Sequence, residues 1–175
     1  MDAKRVARAG VMVALLAVSA QVMLPLGPVP FTLQTLVLSM VPAVLDPTTS
    51  IFAVFAYVLL GSLGLPVFSG FHGGIGALAG PTGGFLWGFI AGCIVAAAVI
   101  RVLPKGLAEF PRTLVAAASL VLVSYACGTA QLMVLMNLDL TGALAIAVIP
   151  FVVPDAVKTV VGARLGCTVA RAIKN

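Results

Sequence analysis

Asp155 and Lys158 are an acid and a base three residues apart in the last apolar stretch of the chain, PFVVPDAVKTVV. On a helix, residues at i and i+3 share one face, with their Cβ atoms about 5 to 6 Å apart. An ionised side chain in hydrocarbon is costly, so such residues mark a functional site by default. These two residues are called the charged pair below.

Two interpretations of the charged pair follow from its chemistry. In the first, Pro154 occupies the first helical turn, Asp155 caps the helix at the positive end of its dipole, and Lys158 extends outward to pair with it. In the second, both side chains stay solvated in a pocket open to the outside. They then offer an acceptor and a donor to a polar ligand.

Thr32 and Gln34 are polar residues placed early in another apolar stretch, VPFTLQTL. A carboxamide both donates and accepts hydrogen bonds, so Gln34 can recognise an amide-like or urea-like group in either sense. The alternative is a hydrogen bond between helices, which contributes only about 1 kcal/mol in membranes. The candidates for an apolar pocket wall are Phe31, Phe68, Phe71, Phe85 and Trp87. For Trp87, the alternative is a place in the aromatic belt at the membrane interface.

The segment SGFHGGIGALAGPTGG has seven glycines in sixteen residues. Glycines permit close backbone approach and positive φ, so this loop can place N–H groups against an anionic or carbonyl group. Its likeness to a phosphate loop is superficial, because no GK[ST] follows. His72 is the only histidine, and it is either a ligand contact or a residue of the loop surface.

These candidate residues lie in a chain that is too apolar for a soluble domain. Of 175 residues, 62% are hydrophobic and 9% are charged, and the mean hydropathy is +1.22. Residues 9–45, 47–100 and 113–138 contain no charged side chain, whereas one transmembrane helix needs about 20 apolar residues. We therefore predict an integral membrane protein whose site lies between its helices.

Breaking the apolar runs at Gly, Pro and charged residues predicts an all-α bundle of six transmembrane helices. The predicted spans are 6–26, 31–45, 50–68, 84–103, 112–137 and 154–172. The glycine-rich segment forms an outward loop between helices 3 and 4, and residues 140–149 are a candidate short helix. The whole chain, 1–175, is expected to be a single membrane domain.

The distribution of Lys and Arg predicts the orientation of the bundle. With the N-terminus inside, the positive-inside rule is satisfied by Lys4, Arg5, Arg8, Arg101, Lys105, Arg112, Arg164, Arg171 and Lys174. Lys158 is the remaining one of the ten bases. The outward connections 27–30, the glycine-rich loop and 137–154 then converge on the charged pair. We expect a multi-pass membrane protein with both termini cytoplasmic.

Small residues recur along the first helix at spacings of four and three. Such a face lets another helix approach closely. The partner is either another helix of the same bundle or a separate membrane subunit. The residues of this stripe are Ala3, Ala7, Gly10, Ala14 and Ala17.

Several function classes are disfavoured by the same sequence. Cys93, Cys127 and Cys167 lack metal-ligand spacing and are expected to be small core residues. No Ser–His or Cys–His arrangement or metal ligand set is apparent, so we expect neither an enzyme nor a metal or cofactor site. The basic residues flank spans, which argues against nucleic acid as a partner. A purely structural membrane subunit remains an alternative.

Three blocks together resemble the BioY family of biotin transporters, the substrate-binding components of energy-coupling-factor (ECF) transporters. These blocks are PVPFTLQTL, GLPVFSGFHGGIGALAGPTGGFLWGF and PFVVPDAVKTVVGARLG. The resemblance implies a six-helix protein of a bacterial plasma (inner) membrane that captures biotin from outside. It also implies docking through the first helix onto a membrane coupling subunit driven by two ATPases. Solitary function or a homo-oligomer stays open, as does a different vitamin such as thiamine or riboflavin.

The resemblance also assigns residues. The family's D-x-x-K corresponds to Asp155 and Lys158, and the glutamine of its second helix corresponds to Gln34. A carboxylate and an ammonium one turn apart match a ureido ring, which presents two N–H donors beside a carbonyl. The family commonly has GGRGG where this chain has GFHGG. Because the imidazole of His72 lacks a fixed charge and a bidentate fork, we expect the N–H groups of Gly73 and Gly74 to contribute more to carboxylate recognition.

Overall fold

The computed structural model describes residues 2–25, 27–104 and 106–173. Lys105 and Lys174, two of the predicted cytoplasmic bases, lie outside the described residues. The helices are α1 (Ala3–Gln21), α2 (Gln34–Val44), α3 (Pro47–Ser62), α4 (Ile75–Ala79), α5 (Gly83–Val102), α6 (Glu109–Met136), α7 (Leu140–Ala147) and α8 (Ile149–Ala172). Two short antiparallel strands are β1 (Met23–Leu24) and β2 (Phe31–Thr32), and Ser69–Phe71 forms a 3₁₀ turn.

The prediction of an all-α membrane bundle with six principal helices is confirmed. Helices α1, α2, α3, α5, α6 and α8 pack side by side, and the glycine-rich segment joins α3 to α5 through the short helix α4. By length and apolar composition α5 and α6 can each cross a membrane, and α7 with α8 qualifies as a third span bent by 45°. Helices α2 and α3 are shorter and apolar.

The connections gather at two ends of the bundle. Residues 22–25, 27–33, 63–82 and 137–148 form the end that we call the loop end. The opposite end, called the terminal end, carries the start of α1, the end of α8, the connection 45–46 and the described connecting residues 103–104 and 106–108. Short helices at the loop end extend the walls of the bundle there.

The first three helices end or begin at positions that differ from the predicted spans. Helix α1 ends at Gln21 because the chain turns into the β1–β2 hairpin, and α2 therefore starts only at Gln34. Helix α3 starts early because Asp46 caps it, with its side chain accepting the Thr49 N–H, and Pro47 follows in the first turn. It ends before Gly64, which has φ +105°.

The predicted start of the last helix near Pro154 is wrong. Helix α8 begins at Ile149, directly after the short helix α7, and Pro154 lies inside it. Pro150 occupies the first turn, where its missing N–H costs nothing. Asp155 therefore lies about two turns into the helix rather than at its positive end, and the cap interpretation of Asp155 fails.

Close packing of α5 against α6 depends on glycine. A Cβ at Gly88 would lie 2.6 Å from the Cα of Ser124, and one at Gly92 would lie 2.6 Å from the carbonyl oxygen of Leu120. Neither contact is possible for a larger residue without moving a backbone. This seam positions the part of α6 that faces the site.

The terminal end is held by exposed polar contacts. Arg5 pairs with Asp46 at 3.6 Å and Arg171 with Glu109 at 3.1 Å, while Arg8 donates to the carbonyl of Ile173 at 3.1 Å. The side-chain hydrogen bond from Thr49 holds the pKa of Asp46 below its ordinary value, with a smaller contribution from Arg5. These contacts tie α1, α3, α6 and α8 together away from the loop end.

Candidate functional site

A cavity of about 730 Å³, counting the space at its open mouth, lies in the half of the bundle nearest the loop end. Its walls come from the hairpin, the 3₁₀ turn and helices α2, α5, α6 and α8. Most of the lining is apolar. The predicted residues that line it are Thr32, Gln34, Phe68, Phe85, Asp155 and Lys158.

The charged pair forms the polar side of this cavity. The Lys158 ammonium donates to Asp155 Oδ1 at 2.8 Å and to the carbonyl oxygen of Thr32 at 2.6 Å. Each side chain of the pair is only 8% exposed. The ammonium also lies 3.4 Å from the centroid of the Phe31 ring, a cation–π contact. Lys158 therefore points across the bundle toward the hairpin.

The second oxygen of Asp155 is engaged by a residue that the sequence did not flag. Tyr125, on α6, donates its hydroxyl hydrogen to Asp155 Oδ2 at 2.7 Å. A buried charge is tolerated when its partners satisfy it, and removing one partner is then strongly destabilising. The pair thus combines a salt bridge with placement on a cavity wall, so elements of both interpretations coexist.

Gln34 and Thr32 form a second polar cluster on the same wall. The Gln34 amide nitrogen donates to the hydroxyl oxygen of Tyr57, on α3, at 2.7 Å. The Thr32 hydroxyl donates to Gln34 Oε1 at 3.2 Å, and the Gln34 backbone N–H donates to Thr32 Oγ1 at 3.3 Å. Gln34 therefore makes a hydrogen bond between helices, which was the alternative to ligand recognition, and it also lines the cavity.

The five predicted aromatic residues have different positions: Phe68 lines the cavity, whereas Phe71 is 69% exposed. Phe85 lines the cavity, and its ring occupies the space beside Gly128 of α6, where a Cβ would lie 2.5 Å from it. Phe31 stacks on Phe151 with ring centroids 6.3 Å apart and lies beneath Lys158. Trp87 is 50% exposed on the outside of α5, which favours the interfacial belt.

His72, Gly73 and Gly74 lie on the loop that closes over the end of α3. His72 is exposed, and its Nδ1 lies 2.8 Å from the carbonyl oxygen of Ser69. The Gly74 N–H donates to the carbonyl of Gly61 at 2.7 Å, and the Gly73 backbone packs against Leu65. The described cavity walls do not include these three residues. Their contact with a ligand carboxylate stays a prediction.

The small-residue stripe of α1 faces away from the bundle over most of its length. Ala7, Gly10 and Ala14 are exposed, and no atom lies within 4 Å of a Cβ placed on Gly10. Ala17 is half-buried and packs against the core. Packing within the bundle therefore accounts for Ala17 and leaves the other four residues of the stripe, Ala3 among them, exposed and available.

Tyr57 and Tyr125 are two residues of the candidate site that were not predicted from the sequence. They are the two tyrosines of the chain, and each bonds a predicted site residue. A signal was available, because a tyrosine hydroxyl inside an apolar span requires a hydrogen-bond partner. The sequence does not predict which residue is the partner, because the partner lies on another helix.

A model of the BioY family matches residues 1–175 of this chain. The chain is 40% identical over 162 residues to "Biotin transporter BioY" of Thermotoga maritima, with 93% of each chain covered. It is 36% identical over 158 residues to "Probable biotin transporter BioY" of Pyrococcus horikoshii, which covers 90% of this chain and 91% of the relative.

The fold is similar to a crystal structure of the S-component for biotin from an ECF-type ABC transporter. The TM-score is 0.86 at 22% sequence identity, with 98% of this chain and 92% of that chain covered. At this identity the likeness establishes the shared architecture of the bundle.

Proposed function

Because the chain belongs to the BioY family, we propose that it captures biotin in its loop-end cavity and delivers it across the membrane as the substrate-binding component of an ECF-type transporter. The observation that carries this proposal is the buried charged pair on the cavity wall. The names of the relatives favour biotin over thiamine or riboflavin. The role is binding and transport rather than catalysis, in a single membrane domain.

The chemistry of the charged pair supports a cyclic urea as the polar part of the ligand. Asp155 can accept an N–H of the ureido ring, and Lys158 can donate to its carbonyl oxygen. The present partners of the pair are exchangeable, because the Thr32 carbonyl and the Tyr125 hydroxyl can each give up one bond when a ligand supplies another. The apolar lining around Phe85 then suits the rest of the ligand.

The orientation of the protein is part of the proposal. The described bases of the positive-inside prediction lie toward the terminal end, together with the start of α1 and the end of α8. We place this end in the cytoplasm and the cavity mouth on the outer side of the plasma membrane. Biotin then enters from outside.

Competition binding tests the choice of ligand. Purified full-length protein should bind labelled biotin, and excess unlabelled biotin should displace it, while thiamine and riboflavin should not. A protein that binds no biotin, or that releases it to thiamine or riboflavin and not to unlabelled biotin, would contradict the proposal.

A coupling subunit is the proposed partner of the α1 stripe, with ATP hydrolysed by two further subunits. Gly10→Leu or Ala14→Leu adds bulk to an exposed face, so we expect each to abolish biotin uptake by cells while leaving the Kd of the isolated chain within twofold. Loss of binding would mean that the stripe packs internally. A second copy of this chain on the same face is tested by cross-linking from Gly10→Cys.

A further inference from the structure

A chain of hydrogen bonds runs from the backbone of the loop end into the cavity wall. The Tyr57 hydroxyl donates to the carbonyl oxygen of Val67 at 2.9 Å, and the Gln34 amide nitrogen lies 2.7 Å from the same hydroxyl oxygen. A carbonyl oxygen can only accept, so the single hydroxyl hydrogen of Tyr57 is committed to Val67. Toward Gln34, Tyr57 can only accept.

This commitment decides the orientation of the Gln34 amide. The NH₂ group must face Tyr57, and Oε1 must face the Thr32 hydroxyl, which donates to it at 3.2 Å. We infer that Tyr57 is a positioning residue that fixes which edge of the Gln34 amide is presented to the cavity, and that it thereby sets selectivity for the ligand's polar ring. The selectivity part rests on the proposed biotin-binding function.

The segment that carries the Val67 carbonyl is held in place by contacts of the residues that follow it. Gln21, on α1, donates to the carbonyl of Phe68 at 3.1 Å and accepts the N–H of Phe71 at 2.8 Å. The Phe68 ring packs edge-on against Tyr57, with centroids 5.7 Å apart, and lies over Gly61. The acceptor of the tyrosine hydrogen therefore does not move away.

Burial prevents water from replacing Tyr57 in this role. Its side chain is 0% exposed, and Gln34 is 6% exposed. An unpaired amide hydrogen at this depth is costly, so the amide keeps one orientation as long as the tyrosine hydroxyl is present. Tyr57→Phe removes that hydroxyl and keeps the ring that packs on Phe68. The two orientations of the amide then become comparable in energy.

A spectroscopic test needs no ligand. The chain has three glutamines, Gln21, Gln34 and Gln131, so ¹⁵N labelling of their side chains gives three amide signals that single substitutions assign. In the wild-type chain the Gln34 NH₂ should exchange slowly with deuterium, and Tyr57→Phe should speed that exchange at least about tenfold. Gln131, which donates to the carbonyls of Leu78 and Gly80, should be unaffected. Unchanged exchange at Gln34 would overturn the inference.

Thr32→Val distinguishes the contribution of Thr32 to the orientation of the Gln34 amide from that of Tyr57. It also provides a test if Tyr57→Phe does not fold. Removing the hydroxyl on the Oε1 side should leave the Gln34 NH₂ protected, because Tyr57 still accepts from it. Protection lost in Thr32→Val would mean that Thr32 sets the orientation, which contradicts the inference.

The ligand arm compares biotin with 2-iminobiotin, in which the ureido oxygen is replaced by an imino nitrogen. The Kd for 2-iminobiotin divided by the Kd for biotin measures selectivity for the ureido oxygen. In Tyr57→Phe this ratio should fall about fivefold, equivalent to about 1 kcal/mol at 1.4 kcal/mol per decade. Ser62→Ala is the matched control, because its hydroxyl lies on the same helix and bonds the Leu59 carbonyl of that helix. An unchanged ratio in Tyr57→Phe would refute the selectivity role.

The exchange experiment and the ligand experiment can contradict the positioning role of Tyr57 and the proposed function independently. If the wild-type chain binds no biotin, the proposed function is wrong, and deuterium exchange at Gln34 still decides whether Tyr57 orients the amide. If biotin binds and Gln34 exchange does not change in Tyr57→Phe, the proposed function stands and the positioning role of Tyr57 is wrong.

Discussion

Helix α8 carries two cations that each lie over a phenylalanine ring, one in each half of the bundle. Lys158 Nζ is 3.4 Å from the centroid of Phe31 in the loop-end half, and Arg164 Cζ is 3.9 Å from that of Phe110 toward the terminal end. Lys158 is buried and Arg164 is exposed. At the surface water solvates the cation, so this contact costs little free energy. In the interior the cation loses that water, so hydrogen-bond and charged partners must replace it.

The salt bridges of the two halves differ in the same way. The buried pair has both side chains 8% exposed, whereas Arg171 and Glu109 are 67% and 35% exposed. Charge at the terminal end orients and ties the helices. Charge at the loop end is placed where a ligand can reach it. Burial therefore distinguishes the charged pair of the proposed binding site from the structural contacts at the terminal end.

The largest effect is expected from Lys158→Met, which leaves Asp155 buried without its counter-charge. Truncating one member of a buried charged pair costs about 2 to 5 kcal/mol, so the Kd for biotin should rise at least about thirtyfold. Asp155→Asn should raise it by more than about tenfold. Isothermal titration of the folded variants, checked by gel filtration, measures both.

Arg164→Met is the control for Lys158→Met, because it removes a cation over a phenylalanine on the same helix. Its Kd for biotin should stay within twofold of wild type. If Arg164→Met and Lys158→Met weaken biotin binding equally, general damage to α8 accounts for the effect, and a specific contact in the cavity does not.

Tyr125→Phe tests a smaller part of the buried network. It removes one hydrogen bond to Asp155 and keeps the ring and the salt bridge. A hydrogen bond to a charged group contributes about 1.5 to 3 kcal/mol, of which a ligand N–H recovers a part. We expect the Kd for biotin to rise about fivefold. No change would place the ligand away from the Tyr125 side of Asp155.

The smallest effect is expected from Arg171→Ala at the terminal end. Exposed ion pairs contribute about 0 to 1 kcal/mol, so the Tm of the purified chain should fall by only a few degrees. Added salt should reduce the difference from wild type, because it screens the pair. A fall in Tm that is independent of salt would contradict the distinction between the two ends.

Acid pH gives a further contrast at the terminal end. The folded-state pKa of Asp46 is lowered from 3.8, so its stabilising contribution is fully present above that value and is lost as pH falls through the folded pKa. Asp46→Asn should therefore lower the Tm at neutral pH, and this difference should shrink below pH 3.8. Thermal scans at several pH values measure it, and a difference that grows in acid would contradict the sign.

Much of the bundle and part of the site were predictable because the physical signals are local. Apolar run length predicted the six principal helices, and the cost of charge in hydrocarbon singled out Asp155 and Lys158. The hydroxyl contacts of Tyr57 and Tyr125 were not predictable, since their partners lie 23 and 30 residues away on other helices. The start of α8 was also missed, because Pro150 and Pro154 are equally good first-turn residues in sequence.

The glycine-rich loop shows a different limit. Its composition predicted available N–H groups, but the Gly74 N–H is already bonded to Gly61. Composition reports which backbone conformations are permitted, and only the packed fold decides which donors remain free.

A structure of the full-length chain with biotin bound tests the central claim most directly. The account predicts that ureido atoms lie about 2.7 to 3.2 Å from Asp155 Oδ1 or Oδ2 and from Lys158 Nζ, with the rest of the ligand against Phe85. Biotin bound elsewhere, out of hydrogen-bond reach of both residues and with their mutual salt bridge intact, would contradict it.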